Sequence, residues 1–265
     1  MPDDVEKPAT RADAGAGPLE QLDAAVIAPR HIRRIRAALF RAGLLGASVV
    51  FVVLALAAHT TAYFPIDLVV TRSVQTLHGA AFDGLMYGVS WLGFYPQVAA
   101  IDAVIVLGLL FSGLRWEALA MLLATACNGA GALLKLMVVR PRPGEDVVHV
   151  FRKLDSSGFP SGHVLSAVAC YGFVAFLCFT LLKPSLGRSA TIAALGAFIA
   201  LTGLSRIFLG QHWFSDVMGA YLFGSLWLAL TVQVYIWGKP RFFAHQPLAP
   251  ASPAPSPAGS LPGQP

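Results

Sequence analysis

Residues 160–182 read PSGHVLSAVACYGFVAFLCFTLL, so a polar tetrapeptide leads directly into a long apolar run. From Val164 to Leu182 the run has no charged residue, and it approaches the roughly 20 residues that an α-helix needs to cross a bilayer. The whole chain agrees with this pattern, because 56% of its 265 residues are hydrophobic and only 12% are charged. Soluble domains contain roughly 25% charged residues. The sequence therefore predicts an integral membrane protein.

Five further apolar runs of similar length predict an all-α, polytopic fold in which six transmembrane helices form a bundle. The predicted spans are approximately Ala37–Ala58, Gln97–Leu114, Ala118–Val138, Val164–Leu182, Ala190–Phe208 and Val217–Trp237. The stretch from Pro65 to Tyr95 mixes charged with apolar residues, so we expect an interfacial helix there or an early extension of the second span.

Composition also divides the chain into a membrane domain and two tails. Residues 1–30 are rich in Ala, Asp, Gly and Pro, which predicts a disordered cytoplasmic N-terminal tail. Residues 241–265 are rich in Pro and Ala and predict a disordered C-terminal tail. The membrane domain is accordingly expected at residues 31–240. No Cys-x-x-Cys or Cys/His spacing suggests a zinc site or a disulfide framework.

The positive residues predict the orientation of the spans. A cluster before and at the start of the first span should stay in the cytoplasm, and it consists of Arg30, Arg33, Arg34, Arg36 and Arg41. Threading six spans from there places the connections 59–96, 139–163 and 209–216 on the opposite face. Because the polar motifs lie in or beside these connections, we expect a site that faces the outside. The Ala- and Gly-rich usage resembles bacterial inner-membrane proteins, in which that face is periplasmic.

Two polar residues just before the sixth span form one candidate catalytic pair. His212 and Asp216 are four residues apart, a spacing that puts both side chains on one face of a helix. The carboxylate can then accept from one imidazole nitrogen, so that the other keeps its lone pair. This arrangement suits a histidine nucleophile. It would equally suit a pair that caps the last helix.

Three cations lie close to span ends. Lys135 is near the end of the third span and Arg142 follows seven residues later, after Pro141 has stopped the helix. Both could therefore converge on one anion. Arg206, six residues before His212, can form paired hydrogen bonds to phosphate oxygens. Alternatively, each cation could extend its side chain to the membrane surface.

The tetrapeptide Pro160-Ser161-Gly162-His163 has the features of an anion site at a helix start. The first backbone N–H groups of a helix are free, and Gly162 has no side chain to block an approaching oxyanion. The Ser161 hydroxyl would either add a donor or cap the helix. His163 would be placed to donate a proton to a leaving oxygen. The alternative is a helix cap followed by an interfacial histidine. None of this chemistry requires a metal or another cofactor.

Taken together, the patterns Lys-x6-Arg-Pro, Pro-Ser-Gly-His and Ser-Arg-x5-His-x3-Asp resemble the type 2 phosphatidic acid phosphatase superfamily, over about residues 37–237. That superfamily includes lipid phosphate phosphatases, undecaprenyl-diphosphate phosphatases and vanadium-dependent haloperoxidases. The resemblance implies a metal-independent phosphatase in which His212 attacks phosphorus, Asp216 orients it and His163 protonates the leaving group. It also implies that the phosphoryl oxygens are bound by Lys135, Arg142, Ser161, Gly162 and Arg206.

The leading prediction is a lipid phosphatase that hydrolyses a phosphomonoester or diphosphate through a phosphohistidine. Undecaprenyl diphosphate is the first expected substrate, with phosphatidic acid and phosphatidylglycerol phosphate next. Additional positive charge would suit a diphosphate or anionic lipid headgroups, and it comes from Arg140, Arg152 and Lys153. The sequence does not decide the oligomeric state, and no aromatic-interleaved basic surface indicates a nucleic-acid partner.

Other functions remain open at this point. A phosphotransferase would use the same phosphohistidine with an acceptor other than water. Vanadate-dependent halide oxidation is opposed by six apolar spans, and a transporter would have charges spread across the membrane depth. Asp102, inside the second span, has no predicted role. Asn128 lies in a run of small residues that we expect to pack against another helix.

Overall fold

The computed structural model describes residues 30–242, and within that range the chain is all-α, with ten α-helices and no β-strand. The helices are α1 (Arg30–Thr60), α2 (Pro65–Gln75), α3 (Ala80–Leu92), α4 (Tyr95–Phe111), α5 (Arg115–Thr125), α6 (Cys127–Met137), α7 (Gly162–Ser166), α8 (Gly172–Leu181), α9 (Leu186–Phe208) and α10 (Phe214–Phe242). A π-helical turn, Ala167–Tyr171, joins α7 to α8. Apart from residues 30, 241 and 242, which are helical, the predicted tails lie outside the described residues.

The chain divides into two compact units at Val49–Val50. Within the described residues, the first unit is the N-terminal part of α1, where apolar side chains such as Leu39 and Leu45 are exposed. Exposed leucines are expected on a helix that faces lipid. The second unit begins at Val50 and contains the rest of α1 and all other helices.

Within the described residues, five helical segments are long and apolar enough to cross a membrane. They are Arg34–Thr60, Arg115–Met137, Gly162–Leu181, Leu186–Phe208 and Phe214–Phe242. The pair α3 and α4, bent by 64°, supplies a sixth if it is counted as one span. The prediction of a polytopic helical membrane protein is therefore confirmed, although the second span is not one straight helix. Pro96 explains the bend, because it cannot donate a hydrogen bond to the carbonyl four residues earlier in α3.

Small residues bring the helices of the second unit close together. A side chain at Gly131 of α6 would overlap Leu165 of α7, and one at Gly224 of α10 would overlap Val168. Such glycines let helix backbones approach in a membrane. The predicted packing surface around residues 127–132 is thus found at Gly131. As a result, α6 packs closely against α7, and α10 packs closely against the π-helical turn.

A polar cluster joins the first turn of α5 to the last turns of α10. Lys239 Nζ lies 2.5 Å from Glu117 Oε1, and the Tyr235 hydroxyl donates to the same oxygen at 3.0 Å. Eighteen residues of helix separate Glu117 from Lys135, a length of about 27 Å at 1.5 Å per residue. The predicted catalytic motifs therefore lie at the end of the membrane domain opposite the cluster of Glu117, Tyr235 and Lys239.

Candidate active site

Three segments that are distant in sequence converge at one end of the helices. Arg142 Nη1, in the loop after α6, lies 3.0 Å from Nε2 of His212, which precedes α10. Lys135 and Arg142 both donate to the Ser157 carbonyl, at 2.7 and 3.4 Å. The Ser161 N–H donates to the Asp216 carbonyl at 3.2 Å. The structure therefore brings the three sequence motifs into one site.

His212 lies in the turn before α10 rather than on the helix, which begins at Phe214. Its Nδ1 is 2.7 Å from the Gly158 carbonyl oxygen. Because a carbonyl can only accept, Nδ1 carries the proton and Nε2 keeps its lone pair. Asp216 Oδ2 is 3.6 Å from Nδ1, beyond hydrogen-bond distance. The predicted direct hydrogen bond from the imidazole to Asp216 is therefore not formed, because the Gly158 carbonyl accepts from Nδ1.

The surroundings of His212 keep its imidazole neutral. The side chain is buried, and burial is the largest cause that holds its pKa well below the ordinary value. The positive charges of Arg142, Lys135 and Arg206 act in the same direction. A neutral imidazole that keeps the Nε2 lone pair, which here accepts from Arg142 Nη1, is the form that can act as a nucleophile.

Asp216 is held by two donors at the start of α10. Its Oδ2 accepts from the Trp213 N–H at 2.9 Å, and its Oδ1 lies 2.5 Å from Arg140 Nη1. Arg140 Nη2 pairs with Asp67 Oδ2 at 3.0 Å, and all three charged side chains are fully buried. Asp67 also accepts from the N–H and hydroxyl of Ser215, at 2.7 and 2.8 Å. These bonds fix the turn that carries His212.

The structure corrects the suggestion that Arg140 supplies charge for a diphosphate. Arg140 is 1% exposed and is neutralised by two carboxylates, so it cannot meet a substrate. Arg152 and Lys153, by contrast, are exposed and line a cavity of about 230 Å³ beside Arg142.

The three cations predicted to bind phosphate have no acidic partner within salt-bridge distance in the described part of the chain. Arg142 Nε donates to the Ser156 carbonyl at 2.7 Å. Burial lowers the pKa of Arg142, and the Asp216 carboxylate opposes that shift. Arg206 is fully buried, and its guanidinium donates to the Ser90 hydroxyl at 2.5 Å and to the Gln211 side chain. An uncompensated buried cation is costly, so this site favours an anion.

Several buried polar atoms at the same place have no hydrogen-bond partner. They are Ser161 Oγ, His163 Nε2, Arg206 Nε and Gln211 Nε2. Ser161 occupies the N-cap of α7, but its hydroxyl makes no capping bond and is free to donate. Because buried polar atoms are nearly always paired in proteins, this cluster has the composition of a site for an oxyanion.

His163 lies where the cationic site meets an apolar groove. Its ring packs edge-on against Phe94 at 5.0 Å, and a side chain at Gly93 would overlap it. The groove has a volume of about 660 Å³ and is lined by Gly162, His163 and mostly apolar residues of α4 and α5. An apolar chain attached to a bound phosphate could therefore extend past His163 into this groove.

Sequence reasoning missed Ser90, Phe94 and Gln211, which contact Arg206. It also missed Asp67, which is linked to Asp216 through Arg140. The only available signal was the position of Gln211, next to His212. Among the described residues, no cluster of three or more His, Cys, Asp or Glu side chains could hold a metal ion.

Comparison with known proteins gives a consistent result. Residues 113–239 match the profile of the PAP2 superfamily. The chain is 29% identical over 180 residues to phosphatidylglycerophosphatase B of Bacillus subtilis (strain 168), covering 66% of this chain and 86% of that protein. Residues 113–239, which match the family profile, contain all eight predicted site residues.

Two solved structures are similar to this chain. The crystal structure of a transmembrane PAP2-type phosphatidylglycerolphosphate phosphatase from Bacillus subtilis aligns with a TM-score of 0.65 and 27% identity, over 75% of this chain and 98% of that one. Aquifex aeolicus LpxE aligns with a TM-score of 0.49 and 22% identity, over 64% and 96% of the two chains.

Proposed function

We propose that this chain, a membrane-bound lipid phosphatase whose residues 113–239 match the PAP2 superfamily, hydrolyses its substrate through a phosphohistidine on His212. The observation that carries the proposal is the fully buried Arg206 guanidinium, which has no acidic partner among the described residues. Ser161 Oγ, Gln211 Nε2 and Arg206 Nε are also buried without a hydrogen-bond partner. A bound phosphoryl group would supply the negative charge and the acceptors that these groups lack.

The first step is attack of the His212 Nε2 lone pair on phosphorus, which forms an N–P bond and breaks the bond to the lipid oxygen. Arg142 is already within 3.0 Å of Nε2, so its guanidinium is placed to bind a phosphoryl oxygen beside the nucleophile. Lys135 and Arg206 add charge that stabilises the equatorial oxygens in the transition state. The imidazole becomes positive as the N–P bond forms, and Asp216 at 3.6 Å stabilises that charge.

His163 performs the proton transfers. His163 lines the groove and its buried Nε2 has no hydrogen-bond partner. This nitrogen would face the oxygen of the leaving lipid. In its protonated form, His163 donates to that oxygen. The resulting neutral imidazole then takes a proton from water, whose oxygen attacks phosphorus and breaks the N–P bond. Inorganic phosphate leaves, and His163 has regained its proton.

The groove beside His163 supports a lipid as the leaving group, because it offers apolar walls for a hydrocarbon chain. The names of the Bacillus subtilis relatives make phosphatidylglycerol phosphate the first candidate. Phosphatidic acid and undecaprenyl diphosphate remain in the proposed set. We also propose that the site faces the periplasm of a bacterial inner membrane, in accord with the arginines at the start of the α1 sequence.

The test is release of inorganic phosphate by the detergent-purified protein from these three lipids. His212→Ala should lose the activity and should retain the thermal unfolding of the wild type. The exposed His59 at the end of α1 provides a matched control, and His59→Ala should keep full activity. Full activity in His212→Ala would overturn the assignment of the nucleophile.

The same assay separates hydrolysis from phosphoryl transfer. A hydrolase releases one inorganic phosphate for each dephosphorylated lipid, with or without an added sugar or lipid acceptor. A phosphotransferase would instead deliver the phosphoryl group to that acceptor. Radiolabelled substrate should also give an acid-labile protein adduct in the wild type and none in His212→Ala.

A further inference from the structure

The apolar groove contains one polar patch, formed by Asp102 of α4, Asn128 of α6 and Ser166 of α7. All three line the same cavity as His163. Most of the other lining residues are apolar, and no lysine or arginine is among them. The phosphatase chemistry described above uses none of the three.

The patch lies a short distance from the reacting atoms. Ser166 follows His163 by three residues, which is about 4.5 Å along a helix. Cys170 is one further turn away, about 10 Å from His163, and its Sγ lies 3.7 Å from Asp102 Oδ2. The patch therefore begins where the first few atoms of a leaving group would lie.

Two of the three polar groups of the patch are not fully satisfied by the protein, whereas the Ser166 hydroxyl lies 3.9 Å from Cys170 Sγ. Asp102 is 8% exposed, and its Oδ1 has no hydrogen-bond partner. Asn128 is exposed to the groove, and no hydrogen bond joins its amide to another side chain or carbonyl of residues 30–242. At membrane depth, each unsatisfied polar group costs free energy. A ligand with both acceptors and donors at this depth would remove that cost.

We propose that this patch binds the glycerol unit of a lipid phosphate, and thereby favours glycerol-based substrates over polyprenyl phosphates. The inference rests on the proposed function, because it requires the phosphoryl group at His212. Asn128 and Ser166 donate hydrogen bonds to the ester carbonyls of the glycerol unit. Asp102 Oδ1 accepts from a hydroxyl where the glycerol carries one.

A polyprenyl chain has only hydrocarbon at this depth, so it leaves the patch unsatisfied. A site with buried polar groups discriminates strongly against a ligand that cannot pair with them. Because no cation lines the groove, the part of the ligand that contacts the patch is uncharged.

The experiment compares two phosphomonoesters, dioctanoyl phosphatidic acid and farnesyl phosphate, in the same detergent. The wild type should have the higher kcat/KM on phosphatidic acid. Asn128→Leu should lower kcat/KM on phosphatidic acid about tenfold, the effect of one lost hydrogen bond. The same variant should leave the value on farnesyl phosphate within about twofold. Ser166→Ala, which only removes a hydroxyl, should show the same selectivity.

Leu107, an apolar residue of the same groove, provides the matched control. Leu107→Ala should change kcat/KM on the two lipids by the same factor, because it alters only apolar contact. If Asn128→Leu and Ser166→Ala also affect both lipids equally, or affect neither, the glycerol-binding role is refuted. If the wild type releases phosphate from no lipid, the proposed function itself fails, and the two failures are thus distinguishable.

Discussion

Arg140→Met should destabilise the protein strongly, because Arg140 is the counter-ion of two buried carboxylates. Its guanidinium lies 2.5 Å from Asp216 and 3.0 Å from Asp67, and all three side chains are fully buried. Removing one partner of a buried ion pair typically costs about 3–5 kcal/mol, since the remaining charge is left uncompensated. In this variant two carboxylates would be left without their cation, so we expect the upper part of that range.

Thermal unfolding in detergent would measure the effect, and a decrease in Tm on the order of 10 °C is expected. Lys153→Met is a matched control, because Lys153 pairs with Glu145 at 3.6 Å while both side chains are mostly exposed. Such surface pairs contribute little, so the control should unfold like the wild type. Arg140→Lys should be intermediate, because one ammonium cannot bridge both carboxylates. If Arg140→Met unfolded at the same temperature as Lys153→Met, the network would not support the site as argued.

Three further predictions concern the site itself. Folded His212 stays neutral because burial and nearby cations hold its pKa well below its ordinary value, whereas the unfolded chain gains a proton as the pH falls through about 6.5. Below that pH, this group should therefore lower the free energy of unfolding by about 1.4 kcal/mol per pH unit. The difference in Tm between pH 7 and pH 5.5 should be smaller in His212→Gln than in the wild type. Ser90→Ala removes the acceptor of Arg206 Nη1 and should lower kcat/KM about tenfold without loss of folding. Wild-type kinetics in this variant would contradict a role for Ser90 in placing Arg206. Phosphate release should persist in excess EDTA, and a loss that added Mg²⁺ restores would contradict the metal-free mechanism.

Several elements of the fold were predictable because they depend on local composition. The helix from Gly162 to Leu181 coincides closely with the predicted span Val164–Leu182, since an uncharged apolar run has few alternatives in a bilayer. The bend between α3 and α4 was not predicted. It depends on Pro96 and on the contacts of Gly93 and Phe94 with His163, which no local pattern reveals.

The residues of the site divide in the same way. The sequence alone indicated the chemical groups, because a phosphate requires cations, a nucleophile and a proton donor, and these occur in three short motifs around Lys135, His163 and His212. Only the tertiary structure decided which partner each group has. Asp67 and Arg140 are 73 residues apart in the chain. They pair because folding removes both charges from water, and a buried charge then needs an opposite charge beside it. For the same reason, Arg140 is a buried structural cation while Arg142, two residues later, contacts His212.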